Sequence, residues 1–248
     1  MIGFTPVKNP NLPTDKVVNI VASGEYPQYI NELEKCGINI LLTDGCNDIL
    51  PVLKYHADML FSYLGNGEFL IEKSQNLLKE KLVNLGLFAR NDGVELNEKY
   101  PGDIAMNACI IGDKVICAKK GVHPALKKGR ELIEVNQGYS KCSVCVVDEN
   151  SLITDDESIF NACKLFGLDV LLVSKGSVKL KGLDYGFIGG CCGKISDDTI
   201  AFCGDLNTHN DAEKIKSFLR ERNIYPVSLG TGFLTDIGSL MPVTQRIS

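Results

Sequence analysis

Four apolar β-type hairpins recur along the chain at intervals of roughly 40 to 46 residues. No other feature restricts the fold as much, because that period is the size of one supersecondary unit. The first runs DMLFSYL from Asp58, turns at Gly65, Asn66 and Gly67, and returns as EFLI. The second runs DIAMNACII from Asp103, turns at Gly112 and Asp113, and returns as KVICA. The third is KCSVCVV from Lys141, turning at Asp148, Glu149 and Asn150 into SLIT. The fourth is YGFIGGCCGKI from Tyr185, turning at Ser196, Asp197 and Asp198 into TIAFC. Each pairs two β-type runs across Gly, Asn or Asp turn residues, the signal of a hairpin.

Helical patterns follow the hairpins. Ser74 to Gly86 places Leu77, Leu78, Leu82 and Leu85 on one face and ends in glycine. Asp155 to Gly167 opens on acidic residues and carries Ile159, Cys163 and Phe166 on one stripe, and His209 to Asn223 turns Ile215, Phe218 and Leu219 inward. Between the second and third hairpins only the short PALKKGREL intervenes. The repeated unit therefore reads strand, strand, helix, strand. Near the C-terminus Thr235 to Thr244 resembles the first strand of a fifth unit with nothing after it. The missing parts stand at the N-terminus in order: Lys16 to Ser23, the helix Tyr26 to Gly37 and the strand Ile38 to Thr43. Joining the two ends in one blade closes the ring and removes open sheet edges. The expectation is a single α/β domain over residues 1–248, a five-bladed propeller with pseudo-fivefold symmetry.

Five such units around an axis resemble the pentein fold of guanidino-group-modifying enzymes, over nearly the whole chain. The segments GFIGGCCGKI from Gly186, GDLNTHNDAEKI from Gly204 and DIGSLMPV from Asp236 resemble a clostridial branch of that fold. Members of the wider family carry an H-x-D pair and a nucleophilic cysteine on strands converging at the axis. Carboxylates bind the planar cation, the thiolate attacks its carbon and the histidine moves protons. His56, Ala57 and Asp58 match H-x-D. The family's cysteine usually sits in the last hairpin, yet this chain reads Gly238, Ser239, Leu240, Met241, Pro242, Val243, Thr244 there. With the blades in permuted order the cysteine falls two units beyond H-x-D, at Cys142; Cys191 and Cys192 are the alternatives. The resemblance thus implies Asp58 and Asp103 holding a cation, His56 transferring protons and Cys142 attacking. A binding or scaffold protein that has lost the C-terminal nucleophile is the competing expectation.

Each residue also has a plainer reading. His56 and Asp58 share a face if they lie on a strand, as a proton-handling pair or as a histidine held by a local carboxylate. Cys142 and Cys145, three apart on a strand, point to opposite faces, which disfavours a chelating or redox pair and leaves core packing as the bland alternative. Gly189, Gly190, Cys191, Cys192 and Gly193 form a glycine cluster that demands bare backbone, for a bulge or for a ligand lying against Gly190 and Cys191. Asp58, Asp103 and Asp236 each begin a first strand. Equivalent blades would gather them at one mouth, where only a cation or protons offset their repulsion, with Asn107 lining the same channel. Otherwise they are solvated turn caps. His209 with Asp205 and Asp211 reads as a helix N-terminus rather than a metal cluster, and His123 as a loop residue.

Composition excludes other classes. A net charge of −5 provides no basic footprint for nucleic acid. No apolar run reaches the roughly 20 residues that span a bilayer, and the run from Met1 to Pro6 lacks the layout of a leader. Ten cysteines read as reduced thiols, which fits a cytoplasmic protein. The expected partner is a small guanidinium- or amine-bearing molecule, with no cofactor, no metal, no nucleic acid and no membrane; a homo-oligomer stays open.

Overall fold

The computed structural model describes residues 3–91 and 93–247; Met1 and Ile2, part of the Met1 to Pro6 run that lacks the layout of a leader, lie outside them. Five sheets form among the described residues; four have three strands, antiparallel at the first pairing and parallel at the second, and the fifth adds a further antiparallel strand at its edge. The first blade joins Phe61–Gly65, Glu68–Ile71 and Phe88–Ala89, with the helix Asn76–Asn84 as its crossover. The second joins Cys109–Ile111, Lys114–Ala118 and Glu131–Val135, crossing by the one-turn helix Pro124–Lys127. The third joins Val144–Val146, Ser151–Thr154 and Asp169–Leu172 through the helix Glu157–Leu165. The fourth joins Cys192–Lys194, Thr199–Phe202 and Tyr225–Ser228 through the helix Ala212–Arg220.

The fifth blade is made by both ends of the chain. Met241–Arg246 pairs antiparallel with Val17–Ala22, Met241 opposite Val21 and Pro242 opposite Ile20. Val17–Ala22 then pairs parallel with Asn39–Leu42 across the helix Pro27–Lys35. A short strand that the sequence reading omitted, Phe4–Pro6, covers the far edge of Met241–Arg246. This is a five-bladed α/β propeller with its ring closed by the two termini, the architecture that the resemblance implies.

The helices bury the faces their spacing implies, with two corrections. Ile215, Phe218 and Leu219 are buried, as are Leu78, Leu82, Ile159 and Cys163. Leu77 is 62% exposed because it sits in the first turn, facing away from the sheet, and Phe166 caps its helix half in solvent. Asp156 caps the third-blade helix, its Oδ1 accepting from Ser158 N at 2.9 Å and Ile159 N at 3.1 Å. Asp156→Ala should therefore cost about 1 kcal/mol and lower the melting temperature by about 2–4 °C in a calorimetric scan. No helix among the described residues is long and apolar enough to cross a membrane.

The largest correction concerns the starts of the first strands. The sequence predicts strand at all five, but four begin with a single helical turn closed by an i to i+3 bond. These bonds run from Met59 N to His56 O, Asn107 N to Ile104 O, Val144 N to Lys141 O and Gly190 N to Phe187 O. The strands begin later, at Phe61, Cys109, Val144 and Cys192. The fifth likewise begins at Met241, because Gly238 and Ser239 take left-handed backbone at φ 81° and 70°. His56 and Asp58 consequently do not share a strand face; they are the first and third residues of a turn. Cys142 is the second residue of its own turn, whereas Asp103 precedes its turn and is not equivalent to Asp58.

Candidate active site

The turns at His56, Lys141 and Phe187 border a cavity of about 250 Å³, whose lining includes His56, Tyr139, Cys142, Phe187 and Asp236. His56 is only 1% exposed, and neither ring nitrogen has a hydrogen-bond partner. Its Nδ1 lies 3.7 Å from Asp236 Oδ1. Asp236 is held by backbone donors: Phe187 N donates to Oδ2 at 2.9 Å and Gly238 N to Oδ1 at 3.0 Å. Burial pushes this carboxyl up; the nearby His56 pulls it down and Asp58 adds to the rise.

Asp58 is fully buried behind this wall. Its backbone N donates to Gly238 O, and its Oδ2 accepts from Ser239 Oγ at 2.6 Å. Oδ1 has no partner. Ser239 Oγ also accepts from the buried Lys141 Nζ at 3.1 Å, which ties the third blade to the corner that holds Asp58. Two buried carboxyl groups that interact in this way are costly to ionise together unless positive charge offsets them.

Asn107 positions the thiol and does not line the cavity as expected. Its Oδ1 accepts from Lys141 N at 2.8 Å, while its Nδ2 lies 3.0 Å from Cys142 Sγ and 3.2 Å from Asp58 O. One amide thus ties the first, second and third blades together. Burial, with the charges of Asp58 and Asp236, pushes the Cys142 thiol well above its usual range. In that state the sulfur is protonated and a poor nucleophile.

The remaining sequence-singled residues divide. Asp103 is buried one layer back, accepting from the Tyr139 hydroxyl at 2.6 Å, so it reaches the cavity through Tyr139 alone. Gly190 makes room for a carboxylate: a Cβ there would stand 2.1 Å from Asp236 Oδ1. Cys191 does not face the cavity; it is fully buried with its thiol 3.1 Å from Ile188 O. Cys192, the other alternative, is likewise buried in the core. His209 and His123 accept from Asp211 N and Ala125 N at helix starts. Sequence reasoning missed Tyr139, Lys141, Gly238 and Ser239. The last two stand in the quoted DIGSLMPV segment, where Gly-Ser before a strand is the signal of a backbone corner.

A family model described as "Family of unknown function (DUF6873)" matches residues 20–241. The sequence has no significant match among curated proteins. Solved structures share the fold at low identity. An amidinotransferase of the saxitoxin biosynthetic pathway from Microseira wollei is 9% identical, with 98% of this chain and 97% of that one covered and a TM-score of 0.58. An agmatine deiminase from C. jejuni is 10% identical, with 99% and 98% covered and a TM-score of 0.56. DDAH from Pseudomonas aeruginosa, complexed with citrulline, is 9% identical, with 94% and 100% covered and a TM-score of 0.55.

Proposed function

The chain belongs to the DUF6873 family and has the pentein fold, and on that premise we propose that its axial cavity binds a small guanidinium- or amidinium-bearing molecule and attacks it through Cys142. One observation carries the reading: a thiol, an imidazole without partners and the Asp236 carboxylate share the cavity, and Asp58 lies directly behind it. The neighbours named for amidino transfer and agmatine deimination support the reaction class. In the proposed chemistry Asp236 and Asp58 hold the cation, whose charge offsets the repulsion that keeps the thiol protonated. Cys142 then loses its proton to His56, and its sulfur bonds to the amidine carbon. The C–N bond to the leaving amine breaks, and the amine takes its proton from His56. Water or a second amine would release the carbon from sulfur, giving hydrolysis or transfer respectively.

The raised thiol favours the second reading, a binding protein, if no ligand lowers it. Alkylation separates the two. A chloroacetamidine, which carries the cation, should label Cys142 at least about tenfold faster than neutral chloroacetamide, about 1.4 kcal/mol of charge contact. With the neutral reagent the Cys142 rate should keep rising with pH through the usual thiol range, because its thiol is pushed up. Cys36, an exposed cysteine, serves as the internal reference. Peptide mapping that finds Cys36 labelled first by both reagents, with no cationic advantage at Cys142, would overturn the catalytic reading. Protection of Cys142 by an unreactive amidine without alkylation would support binding instead.

A further inference from the structure

Away from the axis, Cys46, Asp48 and Glu72 each offer a ligand atom, all within 4.8 Å of one another. Cys46 and Asp48 lie in the segment that leads from the fifth blade to His56, and Glu72 follows the strand Glu68–Ile71. Glu72 is 1% exposed, and its two oxygens are treated differently. Oε2 accepts from Ser74 N at 2.9 Å, from Ser74 Oγ and from Gln75 Nε2. Oε1 is buried with no partner. An orphaned buried acceptor is destabilising, and a carboxylate more so, unless a cation meets it. The fixed Oε2 is also the kind of outer hydrogen bonding that orients a metal-binding carboxylate.

We propose that Cys46, Asp48 and Glu72 bind a zinc-class divalent cation. A thiolate disfavours Ca²⁺ and Mg²⁺, which take oxygen ligands, and suits Zn²⁺ with three protein ligands and a water. Tetrahedral Zn²⁺ sets ligand atoms about 3.5 Å apart, and those of this cluster all lie within 4.8 Å of one another. Asp48 can adjust to the ion, since its side chain is half exposed and its ion pair, with Lys73 Nζ, is 3.7 Å long. Lys73 has a second carboxylate at hand, Glu95 Oε1 at 3.4 Å. The Cys46 thiol proton leaves to solvent as the S–Zn bond forms, so binding weakens in acid. The metal would pin the segment carrying Leu50, Leu53 and His56, which line the cavity, onto the first blade.

Protein stripped with a chelator and titrated with Co²⁺ tests this. The expected result is one equivalent bound, with a thiolate-to-cobalt charge-transfer band that Zn²⁺ abolishes by displacement. Cys46→Ser should remove the band. Asp48→Asn, a change at an exposed side chain that leaves the fold intact, should weaken binding by about 10–100-fold. Cys36→Ser should change nothing. Absence of the band, its survival in Cys46→Ser, or unchanged affinity in Asp48→Asn would each overturn the proposal. None of these readouts depends on chemistry at Cys142.

Discussion

Cys142→Ala should abolish labelling by chloroacetamidine at the axial cavity and reduce turnover of any amidinium substrate by about 10³-fold or more, the scale of losing a covalent nucleophile. Binding of the cation should survive, because Asp236 and Asp58 keep their own partners: Phe187 N and Gly238 N for the first, Ser239 Oγ for the second. Removing the sulfur takes away the group that Asn107 Nδ2 faces at 3.0 Å, but that amide also lies 3.2 Å from Asp58 O and keeps the second blade tied to the first. The variant should therefore separate catalysis from affinity. Isothermal titration with a nonreactive amidine measures the affinity, and mass spectrometry after probe treatment measures the chemistry. Turnover at the wild-type rate in Cys142→Ala would eliminate this cysteine as nucleophile. Loss of binding together with labelling would mean that the thiol shapes the cavity.

Gly238→Ala should damage stability and site at once. Gly238 has φ 81°, and a Cβ there would stand 2.4 Å from His56 Cα and 2.5 Å from His56 Cβ. The left-handed backbone costs about 1–2 kcal/mol for a residue with a Cβ, and forcing an atom into packed surroundings adds about 1–3 kcal/mol. The sum, about 3 kcal/mol, lowers the melting temperature by about 6–12 °C for a domain of this size. Gly167 provides the control: its φ is 76°, and a Cβ there meets nothing within 4 Å. Gly167→Ala should show the backbone cost alone, about 1 kcal/mol. The difference between the two variants is the steric price of crowding His56. Relief of that crowding must move His56 or the corner that gives Asp236 and Asp58 their backbone partners, so ligand affinity should fall in Gly238→Ala and stay unchanged in Gly167→Ala. Equal melting temperatures for the two would show that the corner yields without strain.

The blade order, the four hairpin turns and the closure of the ring by both termini were legible in the chain because they rest on local periodicity. Alternation of two and spacing of 3.6 are written into neighbouring residues, and Ile215, Phe218 and Leu219 needed no tertiary information to declare their face. His56, Asp58, Cys142 and Asp236 could be singled out by type and by resemblance to the family. Their arrangement could not. Whether His56 starts a turn or a strand depends on Leu53 O and Gly238 O accepting His56 N and Asp58 N, and Gly238 lies 182 residues beyond His56 in a different blade. The exclusion of Asp103 from the cavity wall, the orphaned imidazole and the burial that holds the Cys142 thiol protonated have the same origin. A strand pattern records which side chains leave water, whereas a site is defined by which buried groups from five distant segments meet and which of them find no partner, and that is decided only when the ring closes.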